Sequence, residues 1–296
     1  MAKGKDAYAL LDKTFKQWQG DRAPQLSAAL TYYTFLSVAP LLVLLVGVAG
    51  RYLGQSNVTE GIFEQAYKLA GTAGEQLARE LVASTMPSTL GTVASIVAFG
   101  IAFGGAMQVF RQLRFAFDVM WNIPPDDAPE GGMWEQFKWS MSGLGKQNLA
   151  AFAMVLLVGA LFVVSLVLSS VVAVASEWIA PALDIAPPSL RALEGALSVV
   201  LVTALFALIY RYLPRTSIAW KDVWVGAIMT AALFMVGRVL LGAYFTVASP
   251  GSAYGAAGSV LALLIWTNYS LQLVLFGAEF THVWTYAYGS RAVRSA

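Results

Sequence analysis

Six long apolar runs constrain this chain more than any other feature of its sequence. They cover approximately residues 26–50, 90–109, 149–175, 190–210, 223–247 and 258–284. A bilayer core about 30 Å thick is crossed by roughly 20 helical residues, so each run is long enough to span it. The composition, 58% hydrophobic and 12% charged, is also too apolar for an ordinary soluble domain. The sequence therefore predicts an all-α polytopic membrane protein, a bundle of about six transmembrane helices.

The basic residues are distributed unequally between the two sides of this predicted bundle. With the N-terminus in the cytoplasm, fourteen of the nineteen Lys and Arg residues fall on the cytoplasmic side, four on the other side, and Arg238 within the fifth run. Cytoplasmic loops of membrane proteins carry an excess of Lys and Arg. We therefore expect both termini to be cytoplasmic. The cytoplasmic set is Lys3, Lys5, Lys13, Lys16, Arg22, Arg111, Arg114, Lys138, Lys146, Arg211, Arg215, Lys221, Arg291 and Arg294.

Short amphipathic segments flank the apolar runs. Tyr8, Leu11, Phe15 and Trp18 recur every three or four residues, which predicts a helix that either lies on the membrane surface or packs against the bundle. Residues 60–81 predict an acidic outer helix, and residues 133–145 predict another surface helix. Because no loop is large enough to bury a core of its own, residues 1–296 are expected to form a single transmembrane domain.

The sequence argues against hydrolytic, metal and cofactor chemistry. It contains no cysteine and only one histidine, His282, and its acidic residues are dispersed. Hydrolytic metal sites need several convergent His or carboxylate ligands. No phosphate-binding GxxxxGK[ST] motif occurs. We therefore expect no catalytic residue, no metal, no cofactor and no nucleic-acid partner.

A polar level is predicted within the membrane around Arg238. Arginine in a transmembrane span is rare and usually faces protein or water. At about 1.5 Å per residue, Arg238 lies roughly 16 Å from the outer end of its run. The same count brings Asn268, Tyr269, Ser37 and Pro40 to that depth. These residues line a polar cavity, or else Arg238 bonds to an exposed carbonyl or extends towards the outer surface.

Glu279 is a second charged residue in an apolar run, nearer the cytoplasmic end. A buried carboxyl at this position can carry a proton, or it can pair with a basic residue such as Arg114. Gln272 lies between the levels of Arg238 and Glu279. It either extends a polar track or makes an ordinary hydrogen bond between helices.

Basic residues cluster at the cytoplasmic ends of the runs. They are candidates for holding a phosphate-bearing lipid headgroup, although such residues also mark the membrane boundary in many proteins. The candidates are Arg111, Arg114, Arg211, Arg215 and Lys221.

Several motifs resemble those of the YihY/BrkB family. They are Ser27-Ala28-Ala29-Leu30-Thr31-Tyr32-Tyr33, Leu36-Ser37-Val38-Ala39-Pro40-Leu41, Tyr212-Leu213-Pro214, Trp220 with Gly226-Ala227, Tyr254-Gly255-Ala256-Ala257-Gly258, and Leu264-Ile265-Trp266 leading to Phe276-Gly277-Ala278-Glu279-Phe280. The resemblance implies a bacterial inner-membrane protein with about six helices. Members of this family have carried the label ribonuclease BN, have been linked to serum resistance and have been proposed to move envelope lipids. The resemblance implies no catalytic residue set. Residues 115–118 depart from the family pattern.

Three functions follow from these features. The first is an exporter of an amphiphilic, lipid-like substrate that uses the level around Arg238. The second is a scaffold that docks envelope proteins through the acidic outer helix. The third is a proton or ion antiporter that uses Glu279. Membrane lipids are the expected partners, and the sequence leaves the substrate, its direction of movement and the oligomeric state open.

Overall fold

The chain folds into seven described α-helices. The computed structural model describes residues 2–44, 46, 50, 54–85, 92–124, 187–248 and 257–292, and no strand occurs within these ranges. The helices are α1 (Ala2–Gly20), α2 (Ala23–Leu44), α3 (Gln55–Thr85), α4 (Thr92–Met120), α5 (Pro187–Tyr212), α6 (Trp220–Ala248) and α7 (Ala257–Ala287).

Five of the six predicted runs coincide with helices, namely α2, α4, α5, α6 and α7. The third run, 149–175, and the surface helix 133–145 lie outside the described residues. The helices predicted for the amphipathic N-terminal segment and for residues 60–81 are confirmed as α1 and α3, and the outer location of α3 stays a prediction. Within the described ranges, three segments are long and apolar enough to cross a membrane: Gly195–Tyr212, Trp220–Tyr244 and Val260–Ala287. The count of six spans stays a prediction.

Reciprocal contacts between glycine and threonine join α6 to α7. A Cβ atom added to Gly226 would overlap the Thr281 hydroxyl, and one added to Gly277 would overlap the Thr230 hydroxyl. Each threonine hydroxyl donates a hydrogen bond to the glycine carbonyl one turn earlier in its own helix, at 2.8 Å for Thr230 and 2.7 Å for Thr281. Small residues let helix backbones approach closely in membranes. These four residues, called the Gly–Thr contact below, set the spacing of the two helices.

Tyr210 extends this contact to α5. Its buried hydroxyl lies 2.8 Å from Thr230 Oγ1 and donates a hydrogen bond of 2.9 Å to the Val274 carbonyl. The ring packs 5.8 Å from the ring of Phe117 on α4 and 6.3 Å from that of Phe206. Tyr210 therefore connects α4, α5, α6 and α7 in one core.

Polar contacts join the helices at one end of the bundle. At this end, called the basic end below, α4, α5 and α7 end and α2 and α6 begin. Asp222, in the first turn of α6, accepts hydrogen bonds from the backbone N–H and hydroxyl of Ser290 at 2.9 and 2.5 Å. The Arg291 guanidinium donates to Thr216 Oγ1 and the Ser217 carbonyl at 2.7 and 2.8 Å. These contacts fix the segment after α7 against the α5–α6 connection.

The corner between α1 and α2 contains a strained residue. Arg22 has a φ of 55°. This left-handed conformation costs a side-chain-bearing residue roughly 1–2 kcal/mol. The cost is offset by packing, since Ala23 and Leu30 of α2 are buried in the main core and Leu10 of α1 packs with Phe280 and Val283 of α7.

Adding a methyl group in the Gly–Thr contact should separate α6 from α7. We expect Gly226→Ala to destabilise the protein by about 1–3 kcal/mol, as overpacking of a filled core does. The measurement is the thermal midpoint of the detergent-solubilised protein. Gly195→Ala on α5 is the matched control, because no described atom lies within 4 Å of a Cβ placed there. Equal midpoints for the two variants would contradict the proposed role of the contact.

Candidate functional site

Polar side chains form a seam between α2 and α7. The Asn268 amide nitrogen donates to Ser27 Oγ at 3.3 Å and Thr31 Oγ1 at 3.4 Å, and Gln272 Nε2 donates to Asn268 Oδ1 at 2.6 Å. Ser27, Thr31, Asn268 and Gln272 are called the polar seam below. Their hydrogen bonds replace those that water would supply, so the seam holds two otherwise apolar helices in register.

Ser37 and Pro40 continue along α2 beyond the seam. Ser37 is buried, donates to the Thr34 carbonyl at 2.9 Å, and faces α4, since a Cβ at Gly105 would lie 3.0 Å from Ser37 Cβ. Pro40 lies within α2, which extends to Leu44, and the environment of its side chain lies outside the described residues. Ser37 therefore contacts α4.

Arg238 lies on α6 one turn beyond the buried part of its core-facing side. Ala227, Ala231, Phe234 and Arg238 recur at spacings of four, three and four, so they share one helical face. Ala227 and Ala231 are buried and Phe234 packs against the core, yet the next residue of this face, Arg238, is exposed. Burial of this face therefore ends at Arg238. The surface formed by Phe234, Arg238, Trp266 and Tyr269 is called the Arg238 cleft below.

Aromatic rings of α6 and α7 lie beside Arg238 in this surface. The Phe234 ring packs edge-on against Trp266 of α7 at 6.2 Å. Tyr269 lies directly over Gly237, where an added Cβ would overlap its ring. The predicted polar level is therefore divided between two surfaces. Tyr269 faces α6 beside Arg238, whereas Asn268 faces α2 in the polar seam.

An acidic group lies at the basic end of α7. Glu279 is fully buried, and its Oε1 lies 3.2 Å from His282 Nδ1. Its other oxygen, Oε2, has no hydrogen-bond partner among the described residues. The carboxyl of Asp21, from the α1–α2 corner, interacts with both Glu279 and His282. Asp21, Glu279 and His282 are called the acid cluster below.

Burial raises the pKa of the Asp21 carboxyl above its ordinary value, and the neighbouring Glu279 and His282 side chains offset part of that increase. Glu279 pairs with His282 and not with Arg114. The i, i+3 spacing of Glu279 and His282 is a sequence signal that places them on one face of a helix. Asp21 has no such signal, because only the tertiary fold brings it to α7.

The chain matches a known protein family over almost its whole length. A family model described as "Virulence factor BrkB" matches residues 14–295. The chain belongs to the BrkB family. The earlier resemblance to YihY/BrkB proteins is thus confirmed, and no solved structure matches this BrkB-family chain.

The curated relatives of this BrkB-family chain are named as membrane proteins of the UPF0761 group. One from Pseudomonas aeruginosa is 26% identical over 265 residues, which are 87% of this chain and 58% of the relative. One from Azotobacter vinelandii is 24% identical over 90% of this chain and 60% of the relative. One from Delftia acidovorans is 32% identical over 47% of this chain and 33% of the relative. The chain spans about 60% or less of the length of these relatives.

The basic residues of the BrkB-family chain differ in what they contact. Arg215 Nε lies 2.7 Å from Asp118 Oδ2, its backbone N–H donates to Oδ1 at 3.1 Å, and its guanidinium also donates to the Pro124 carbonyl at 3.1 Å. Arg211 donates to the Ile218 carbonyl and lies 5.8 Å from the Trp220 ring. Both residues tie the α5–α6 connection to its neighbours. The ion pair also gives Asp118 a structural role where the sequence departs from the family pattern.

The other three basic candidates lie on α4 and α6. Arg111 donates a hydrogen bond to Gln108 Oε1. Arg114 is half-buried, whereas Lys221 is exposed at the start of α6. Headgroup binding by any of the five stays a prediction.

Breaking the Asp118–Arg215 pair should lower stability. We expect Asp118→Asn to cost about 1–3 kcal/mol, because a largely buried guanidinium loses its charged partner. Asp12→Asn is the matched control, since it removes the exposed Asp12–Lys16 pair, and such pairs contribute about 0–1 kcal/mol. Thermal midpoints in detergent provide the measurement. An equal loss in both variants would assign Asp118 no special role.

The Asp21 carboxyl should make stability depend on pH. Since its pKa is higher in the folded protein, its contribution is fully present below the ordinary value of an aspartate and is lost as the pH rises through the folded value. Wild-type protein should therefore lose stability relative to Asp21→Asn as the pH rises across this interval. Thermal midpoints of both proteins as a function of pH test this, and parallel curves would contradict it.

Proposed function

We propose that this BrkB-family chain is a transporter that moves an anionic amphiphile, a phospholipid-like molecule, between the leaflets of the bacterial inner membrane. The observation that carries this proposal is the exposed position of Arg238 within an α6 segment, Trp220–Tyr244, that is long and apolar enough to cross a membrane. Ionisable residues within spans are costly and commonly mark substrate pathways.

The chemistry of the Arg238 cleft suits an amphiphile. A guanidinium binds phosphate through two parallel charge-assisted hydrogen bonds, which offset the cost of bringing the headgroup into hydrocarbon. Arg238 is ten residues before the end of α6, or about 15 Å of helical rise. Next to it, Phe234 and Trp266 offer apolar surface, and exposed Val239 and Leu240 lie on the adjoining face of α6. A headgroup at Arg238 would keep its acyl chains against these residues.

In the proposed orientation, the basic end of the bundle and both chain termini face the cytoplasm. The N-terminal helix supports this arrangement, because Tyr8 and Phe15 are exposed by 75% and 47% beside the charged side chains of Lys13 and Lys16. An exposed aromatic stripe beside lysines is suited to the interface of an anionic leaflet. Helix α1 would then lie at the cytoplasmic surface while its buried face packs on α7.

Lipid movement in reconstituted vesicles tests the transport function. Vesicles with fluorescent phosphatidylglycerol, quenched from outside, report how fast inner-leaflet lipid reaches the outer leaflet. We expect Arg238→Gln to slow this rate about 10–100-fold, since a charge-assisted hydrogen bond contributes about 1.5–3 kcal/mol. Lys13→Gln, which removes a positive charge from exposed α1, should retain the wild-type rate.

Two results would overturn parts of the proposal. Folded Arg238→Gln protein that moves lipid at the wild-type rate would remove Arg238 from the pathway. Wild-type vesicles no faster than protein-free vesicles would reject lipid transport and favour the scaffold role, for which α3 offers exposed Glu60 and Tyr67.

A further inference from the structure

We propose that Asp21, Glu279 and His282 form a proton-binding site that couples substrate movement in the Arg238 cleft to proton movement across the membrane. This inference rests on the proposed transport function and adds its coupling ion. The site lies at the junction of the α1–α2 corner with α7, and Glu279 comes ten residues after Tyr269 of the Arg238 cleft.

The geometry of the acid cluster favours a bound proton. Glu279 is removed from solvent, and its Oε2 lacks a hydrogen bond within the described ranges. A second carboxyl, that of Asp21, interacts with it. Two neighbouring carboxyls in a desolvated site do not both ionise readily, so one proton is held by the pair. His282 Nδ1, 3.2 Å from Glu279 Oε1, is the third group that can accept this proton.

The surrounding groups supply little positive charge. No Lys or Arg forms an ion pair with Asp21 or Glu279 in the part of the chain described. The ring of Trp121, at the end of α4, lies 4.9 Å from that of His282, and the Tyr286 ring lies 5.1 Å from it. Arg291 stacks on Trp121 and Tyr286, at 5.6 and 5.8 Å from their rings, and Arg22, which follows Asp21, is exposed.

Helix α1 adds polar atoms but no charge to this site. Gln17 Oε1 and Trp18 Nε1 are buried without hydrogen bonds to described residues, and Trp18 packs against Phe276 of α7 at 6.3 Å. Among the described residues, no group of His, Asp and Glu side chains is arranged to hold a metal ion. A proton is therefore the ligand that this chemistry fits.

A mechanical connection links the acid cluster to the substrate pathway. Asp21 precedes Arg22, the strained residue from which α2 begins, and α2 carries the Ser27 and Thr31 hydroxyls of the polar seam. When the proton leaves a carboxyl oxygen for water, two negative charges oppose each other between the corner and α7. Their repulsion favours separation of the corner, which loosens the seam beside Asn268. Because Tyr269 is the next residue of α7, this change reaches the Arg238 cleft.

Infrared spectroscopy of the full-length protein in vesicles tests the proton site without any transport. Wild-type protein should contain a protonated carboxyl C=O band whose intensity falls as the pH is raised. Glu279→Gln and Asp21→Asn should each alter or remove the band. Glu60→Gln, which changes an exposed carboxylate on α3, should leave it unchanged. Absence of a titrating band in the wild type overturns the proton site, even if the variants do not fold.

Transport under a pH gradient tests the coupling. Lipid movement should change several-fold when the gradient is reversed, and Glu279→Gln should make the rate independent of the gradient. Wild-type lipid movement that ignores the gradient would reject coupling while retaining transport. A titrating band in a wild-type protein that moves no lipid would also reject this coupling and overturn the proposed function, leaving only proton binding.

Discussion

The Gly–Thr contact between α6 and α7 is the interaction on which the rest of this fold depends. Water does not drive helices together within a bilayer, so close packing and hydrogen bonds must do so. Gly226 and Gly277 supply the space, and each is filled by a threonine of the other helix. Tyr210 then bonds to Thr230 and to the α7 backbone, which extends the contact to α5.

Gly277 of the Gly–Thr contact also lies between the two candidate sites along α7. On one side of it, α6 and α7 remain close as far as Phe234 and Trp266, beyond which Arg238 is exposed. On the other side, α7 continues to Glu279 and His282 beneath the α1–α2 corner. Helix α7 thus carries Trp266 and Tyr269 of the Arg238 cleft as well as Glu279 and His282 of the acid cluster.

Sequence reasoning found the helices more reliably than their contacts. The apolar runs of α2, α4, α5, α6 and α7, the amphipathic α1 and the acidic α3 could be predicted from periodicity and length. The importance of Arg238 and Glu279 could be inferred from the cost of charge in hydrocarbon. The residues that contact Arg238 and Glu279 could not be predicted. Apolar residues occupy every face of these helices, so the sequence does not distinguish a face against lipid from a face against another helix. The pairing of Asp118 with Arg215, 97 positions away, has no local signal at all.

The sequence by itself determined that the long helices are suited to a lipid environment, and it determined their order along the chain. Both follow from hydropathy and charge, which are properties of short segments. Only the tertiary structure decided which faces meet. Asn268 and Tyr269 are adjacent in sequence, yet one bonds to α2 and the other packs on α6, because successive helical residues point about 100° apart. Likewise, the fold alone brings Asp21 to Glu279, since the α1–α2 corner is far from α7 along the chain but packs against it in space.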